Sequence, residues 1–462
     1  MYPDSTFTTM STTLSVLSLN CWGLFMVSKE REFRLHAIAD YIASTNYDVV
    51  ALQELWMWDD FEYIKTVAAN KYPNIEIFYS GALGSGLAIL SKFPIIEQSY
   101  FRYALSGRPL KVFHGDFYVG KGCGSVCIDH PEAGLIDIYT THLHAGYGRR
   151  KEYEGHRITE AWELTKLFRS SAASGRHVIA LGDFNAIPSS YPYRLITEHG
   201  KMSDSWQEVN GPNIPSSPEI EQLTPEAAIQ VLGVTCDSPL NSWSKHFLKK
   251  SAHKKYGDRL DYIFYERTPK LQCVQSKVVL TETIPGTEKS YSDHFGVCST
   301  FKISTKVAHE VVSNNSQYTN LTRDTLDGIL ATLKSDQYHS KRTAKFLLRL
   351  LAITLIAIIV LFAIIIALPT SLRMNDHGDI AIILVTIFGQ ILLIASALIA
   401  PVALIVGFVF GHTEQRALLQ FIKELETLFR VIKVNHPSDN DLINMTDDDD
   451  SSTNLAKRTN ST

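Results

Sequence analysis

Two long apolar runs near the C-terminal end constrain this chain more than any other feature. Residues 346–368 carry only Arg349 and Thr354 as polar side chains, and residues 380–410 carry Gln390 as their one strongly polar group. At about 1.5 Å per residue, each run as a helix covers the roughly 30 Å of a bilayer's hydrocarbon. Backbone in hydrocarbon must satisfy its own hydrogen bonds, so such a pair is expected to form a transmembrane helical hairpin, with Pro401 as a kink. A core hairpin of a water-soluble domain is the alternative, and two such runs in succession argue against it.

The flanking charges predict the orientation. Lys334, Lys341, Arg342, Lys345 and Arg349 precede or open the first run, and Arg416 and Lys423 follow the second. The residues between, 369–379, hold only Arg373. Positive charge stays on the cytosolic side, so both large ends are expected there. The sequons at Asn314, Asn320, Asn444 and Asn460 then lie on the side that is not glycosylated. Residues 1–14 are polar and Ser/Thr-rich, unlike a secretory signal. The expected location is the endoplasmic reticulum or another intracellular membrane, with the plasma membrane as the alternative. The basic run Lys341, Arg342, Lys345 and Arg349 can also hold anionic lipid head groups, each charge contributing roughly 1 kcal/mol.

Ahead of this hairpin, residues 14–303 read as one large domain. Strand-length apolar runs rich in Val, Ile and Tyr fall at 14–19, 48–52, 86–90, 135–141, 178–181, 260–265 and 297–301. Helical patterns lie between them at 31–44 and 154–168, the latter with Ile158, Ala161, Trp162, Thr165 and Phe168 on one face. This alternation predicts a layered α/β sandwich. Residues 304–340 read as a polar linker, 341–410 as the hairpin region, and 411–462 as an amphipathic helix with an acidic tail at 447–450. A net charge of −4 argues against nucleic acid as the main partner. The six scattered cysteines fit reduced core residues better than a zinc site.

Polar residues able to bind metal or phosphate recur where a predicted strand gives out. Asn20 follows one run, Glu54 the next, His142 a third, and Asp183 with Asn185 a fourth. Asp261 opens another, and Asp293 with His294 precede the last. Taken singly, Asn20 and Asn185 read as turn residues, Asp183 as an Asx turn, Glu54 as a surface carboxylate and His142 as a core histidine. Strand ends converge on one edge of a sheet, so the series in order points to a single site. Gly120-Lys121-Gly122 reads either as a surface hairpin or as a lysine beside a phosphate.

The pieces Gln53-Glu54, Gly182-Asp183-Phe184-Asn185 and Ser292-Asp293-His294 resemble the endonuclease/exonuclease/phosphatase superfamily. Leu19-Asn20-Cys21-Trp22-Gly23, Thr141-His142-Leu143-His144-Ala145 and the membrane pair resemble its neutral sphingomyelinase branch, which includes the inositol phosphosphingolipid phospholipases C. The resemblance implies a four-layered α/β sandwich and Mg²⁺-dependent release of a phosphorylated head group from a sphingophospholipid in the cytosolic leaflet. It implies Glu54 on the metal, with Asn20 and Asp293 on the ion or its waters. His294 would be the general base, oriented by Asp261. Asp183 and Asn185 would position water and phosphate, and His142 would donate to a phosphoryl oxygen. It also implies stimulation by anionic phospholipid. A membrane-tethered nuclease, an inositol-phosphate phosphatase of the same superfamily and an inactive lipid-binding module remain as alternatives.

Overall fold

The computed structural model describes residues 12–146, 152–211, 217–244, 256–304, 318–374 and 379–435. The sequons at Asn314, Asn444 and Asn460, the acidic residues 447–450 and residues 1–11 lie outside them. The chain divides into two compact units, Met1–Leu321 and Thr322–Thr462.

The first unit is a four-layered sandwich of two six-stranded sheets with helices on the outer faces. Its strands are β1 (Thr12–Asn20), β2 (Val49–Gln53), β3 (Asn74–Ile77), β4 (Ala88–Ser91), β5 (Ile95–Arg102) and β6 (Gly122–His130). The series continues with β7 (Gly134–His142), β8 (His177–Asp183), β9 (Ser203–Asp204), β10 (Asp261–Tyr265), β11 (Leu271–Val279) and β12 (Gly296–Ile303). One sheet runs β11-β12-β1-β2-β4-β3 and the other β5-β6-β7-β8-β10-β9. β1 and β2 are parallel, as are β7 and β8, while β12 runs antiparallel to β1 and β10 antiparallel to β8.

Strand periodicity explains how this frame aims its polar residues. Side chains two apart share a face. Leu14 and Val16 of β1, Val49 and Ala51 of β2, Ile136 and Ile138 of β7, and Ile179 and Leu181 of β8 all enter the core between the sheets. Continued to the strand ends, the same inward face carries Ser18 and Asn20, Gln53, Thr140 and His142, and Asp183. The sandwich is therefore apolar along most of its length and polar at one end. The outer face of β1 and β2 packs Leu17, Leu19, Val50 and Leu52 against Leu35, Ile38, Ile42, Phe61 and Ile64 of the helices Arg31–Ser44 and Trp58–Ala68.

The second unit is a helical hairpin. One helix spans Arg323–Met374; its partner runs Asp379–Leu404, widens into a π-turn at Ile405–Phe410 and continues as Gly411–Asn435. The region expected as a polar linker, 304–340, is thus helical from Arg323. Leu326, Ile329, Leu330 and Leu333 sit at i, i+3, i+4 and i+7 and are buried, as are Leu418, Phe421, Ile422, Leu425 and Leu428 of the returning helix. Ser340 Oγ donates to Glu414 Oε2 at 2.7 Å across this contact. Small residues set the crossing: a Cβ on Gly389 would lie 2.8 Å from Ile365, and one on Gly407 2.8 Å from Leu347. Both helices are long and apolar enough to cross a membrane. Only 6 % of the most apolar window of the first is buried, unlike a core helix of a water-soluble protein.

Candidate active site

All eight residues singled out at strand ends meet at one edge of the sandwich. Antiparallel pairing sets Asp261 opposite Asp183 and Val297 opposite Ser18, so the starts of β10 and β12 join the ends of β8 and β1. Asn20 links the two sheets, its Nδ2 donating to Glu54 Oε1 and Asp183 Oδ2, each at 3.1 Å. Its Oδ1 accepts from the Trp22 amide at 3.0 Å, which leaves Asn20 orienting the two carboxylates. Ser292 Oγ donates to the Asn20 carbonyl at 2.6 Å and ties the Asp293-His294 segment to β1.

His294 and Asp261 form a buried pair, Nδ1 to Oδ2, at 2.8 Å. His294 Nε2 lies 3.9 Å from Asp183 Oδ2, and His142 Nε2 lies 3.5 Å from the same oxygen. The Asn185 amide donates to Asp183 Oδ1 at 2.9 Å, and its Nδ2 to the Leu143 carbonyl at 3.1 Å. Glu54 and Asn185 both adopt left-handed backbone, with φ of 58° and 46°. Such strain typically costs about 1 kcal/mol or more at a non-glycine residue and concentrates at functional sites.

Burial dominates the electrostatics of the acidic groups. Burial raises Glu54 to about 7, with the nearby charge of Asp293 adding to it, and burial raises Asp293 as well. Asp183 stands at about 6, through burial and then Asp261. His142 is held well below the histidine range by burial, Lys121 and His294, so its ring is neutral. For His294 burial opposes the charged ring, yet the field of Cys236, Asp261 and Asp183 outweighs it and the ring stands well above the ordinary range. Asp261 Oδ1 and His142 Nδ1 are buried with no hydrogen-bond partner among the described residues.

This donor set fits a divalent cation. Glu54 and Asp293 are hard oxygen donors whose proton affinities are raised chiefly by burial, a desolvation that a bound cation would offset. Asp183, Asp261 and His294 also place one donor atom each within 4.8 Å of one another.

One of the two readings of Lys121 is set aside by the structure, and a second cation, Arg34, escaped the sequence reading. Lys121 does not sit on a surface hairpin: it is buried, its Nζ 2.7 Å from Asp116 Oδ1 and 2.7 Å from the Leu143 carbonyl, which Asn185 also reaches. Arg34 is wholly buried and donates to the carbonyls of Lys29, Cys21, Tyr291 and Trp22, clamping the segments after Asn20 and before Asp293. Its signal was a charge on the apolar stripe Leu35, Ile38 and Ile42.

Two sheets packed face to face, with an Asp-His pair, buried acids and amides at their shared edge, place the chain in the Endonuclease/Exonuclease/phosphatase family, whose model matches residues 17–294. An inositol phosphosphingolipids phospholipase C of Schizosaccharomyces pombe is 35 % identical over 428 residues, covering 92 % of this chain and 97 % of the relative. The chain belongs to the inositol phosphosphingolipid phospholipase C and neutral sphingomyelinase branch of that family. Sphingomyelin phosphodiesterase 2 of Mus musculus is 30 % identical over 296 residues, covering 63 % of this chain and 65 % of the relative. Sphingomyelinase C from Streptomyces griseocarneus superposes with a TM-score of 0.45 at 17 % identity, covering 63 % of this chain and 99 % of that one.

Proposed function

We propose that this chain is a membrane-anchored, Mg²⁺-dependent phospholipase C that hydrolyses a sphingophospholipid, either sphingomyelin or an inositol phosphosphingolipid, to ceramide and a phosphorylated head group. The carrying observation is the 2.8 Å Asp261–His294 pair set beside an Asp183 that Asn20 and Asn185 hold in place. The names of the relatives, which span both substrate types, support the substrate class.

In this reading His294 Nε2 takes a proton from water as the water oxygen attacks phosphorus, and the bond to the ceramide oxygen breaks with that oxygen taking a proton from solvent as ceramide leaves. Asp261 keeps the other ring proton on Nδ1 and stabilises the imidazolium that forms. Asp183 and Asn185 orient water and phosphate, and neutral His142 donates to a phosphoryl oxygen as charge builds. Glu54 and Asp293, oriented through Asn20 and Ser292, would hold the Mg²⁺, since an all-oxygen set suits a hard ion better than the histidine-containing cluster. Held there, Mg²⁺ would polarise the phosphoryl group, and its charge would favour the neutral form of His294.

The topology proposed from the flanking charges puts the first unit and residues 411–462 in the cytosol, with substrate drawn from the cytosolic leaflet of an intracellular membrane. A cavity of ≈ 500 Å³ lined by Tyr338, Lys341, Arg342, Lys345, Phe346 and Arg349 supports anionic phospholipid as an activator. The test is the purified full chain in nanodiscs with Mg²⁺, assayed side by side on sphingomyelin, inositol phosphosphingolipid, lysophospholipid and single-stranded DNA. Ceramide release that chelation abolishes is expected. Cleavage of DNA with neither sphingolipid cut would overturn the proposal.

A further inference from the structure

The two edges of the sandwich differ in what they show to their surroundings. Strand pairing sets the segments 21–30, 78–87 and 103–121 at the catalytic edge, because Ser18 pairs with Val297, Ile77 and Leu52 both pair with Ala88, and Arg102 pairs with Gly122. Here large apolar side chains stand in solvent: Phe25, Met26 and Val27 in the first segment, and Leu110, Val112 and Phe113 in the third. Met26 is 90 % exposed and Phe113 fully so. The opposite edge is made by 45–48, 69–73, 92–94, 131–133, 174–176 and 266–270. Among the described residues of these loops no large apolar side chain is exposed, and on the strand ends beside them only Ile96 and Leu135 stand out, singly, at 51 % and 37 % exposure.

These apolar tips stand on fixed bases. Arg31 lies over the Phe25 ring at 5.7 Å. The Tyr118 hydroxyl donates to the Pro109 carbonyl at 2.7 Å, and His114 Nδ1 lies 3.2 Å from the hydroxyl of Tyr153, whose ring stacks on His144 at 3.9 Å. Exposed large apolar side chains grouped in this way mark a candidate interaction site.

We infer that residues 25–27 and 110–113 are two prongs that insert into the interfacial layer of a lipid bilayer and set the catalytic edge against it. The inference deepens the proposed function and rests on its lipid substrate. Two observations select lipid as the occupant. The prongs stand at the sheet edge that carries Asn20, His142 and Asp183, and the same chain carries two helices long enough to cross a bilayer, so a lipid surface is within tethered reach. Aliphatic and aromatic tips on short loops are the composition that buries at such an interface.

The test uses the full chain in nanodiscs. Met26→Cys and Phe113→Cys, each labelled with nitrobenzoxadiazole, are compared with Leu135→Cys at the opposite edge, the unmodified chain giving the background of its own cysteines. Lipid-borne spin label should quench positions 26 and 113 and spare 135. Labels open to aqueous iodide would overturn the inference, as would labels shielded from iodide yet untouched by the lipid quencher, which would indicate a protein partner or a second copy on this edge. In parallel, Phe25→Ser, Met26→Ser and Val27→Ser together should raise KM for bilayer substrate about tenfold, in line with the apolar area withdrawn from lipid, and leave turnover of a monomeric short-chain substrate unchanged. Equal loss on both substrates would overturn it. Lipid quenching without ceramide release would keep the docking surface and remove the proposed substrate, whereas ceramide release with water-exposed labels would remove the docking surface alone.

Discussion

The two units of this chain depart from the ordinary rule of protein surfaces in opposite directions. The sandwich buries charge, with Arg34, Lys121, Glu160, Asp183 and Asp261 almost wholly inside, while the hairpin displays Ile353, Ile356, Ile359, Phe362, Ile383 and Phe388 outside. A buried charge costs several kcal/mol unless it is paired, so it is kept where it carries chemistry or holds chemistry in place. An exposed apolar helix face is stable when its solvent is hydrocarbon. The same chain therefore uses two solvents, and a substitution should act through the unit it touches.

The largest expected effect is His294→Ala, which should lower kcat by about 10³-fold, with insertion of the hairpin unchanged in a carbonate-extraction assay. Loss of insertion in that variant would break the separation between the units. Asn20→Ala should cost about 10- to 100-fold in Mg²⁺ affinity by titration, because Glu54 loses the donor that orients it. Arg34→Met leaves carbonyls of two site-bearing segments without a donor, and should destabilise the first unit by about 3 kcal/mol in urea unfolding followed by tryptophan fluorescence. Unfolding of the hairpin at the same urea concentration would show the two units to be coupled.

A pH test sharpens the account of buried charge. Burial raises Glu160 to about 8, opposed by the bond its Oε2 accepts from the His144 amide and by Lys121. A raised acid contributes stability that is complete below its unfolded value and is lost as pH climbs through the folded one. The first unit should therefore lose stability between about pH 4.5 and 8. Glu160→Gln, which keeps the acceptor, should flatten that decline in melting curves, and an unchanged slope would count against the buried acid. The smallest effect belongs to Lys334→Ala, which removes an exposed pair with Glu426 and should change hairpin stability by less than about 1 kcal/mol in thermal scans.

Much of this was legible because strand ends and hydrocarbon lengths are local patterns. Asn20, His142 and Asp183 each stand at the end of a run whose alternate residues are apolar, and that alternation fixes the face they share. For Lys121 the sequence left a surface hairpin and a lysine beside a phosphate equally open, since its burial depends on Asp116 and on the Leu143 carbonyl. Arg34 gave a local sign, a charge on an apolar helix stripe, but its four carbonyl partners belong to segments as distant as Tyr291. The helical start at Arg323 was hidden because Leu326, Ile329, Leu330 and Leu333 are spaced among polar residues, and their burial depends on a helix nearly a hundred residues further on.

The pairing of β12 with β1 has a consequence for synthesis. Asp293 and His294 are the last site residues to leave the ribosome, and they reach Asn20 only when the final strand of the sandwich closes onto the first. A nascent chain short of that strand can already carry His294 but has nothing to hold it beside Asn20 and Asp183. The candidate site is thus completed late and in one step, when the whole first unit has emerged and the apolar helices are next in line.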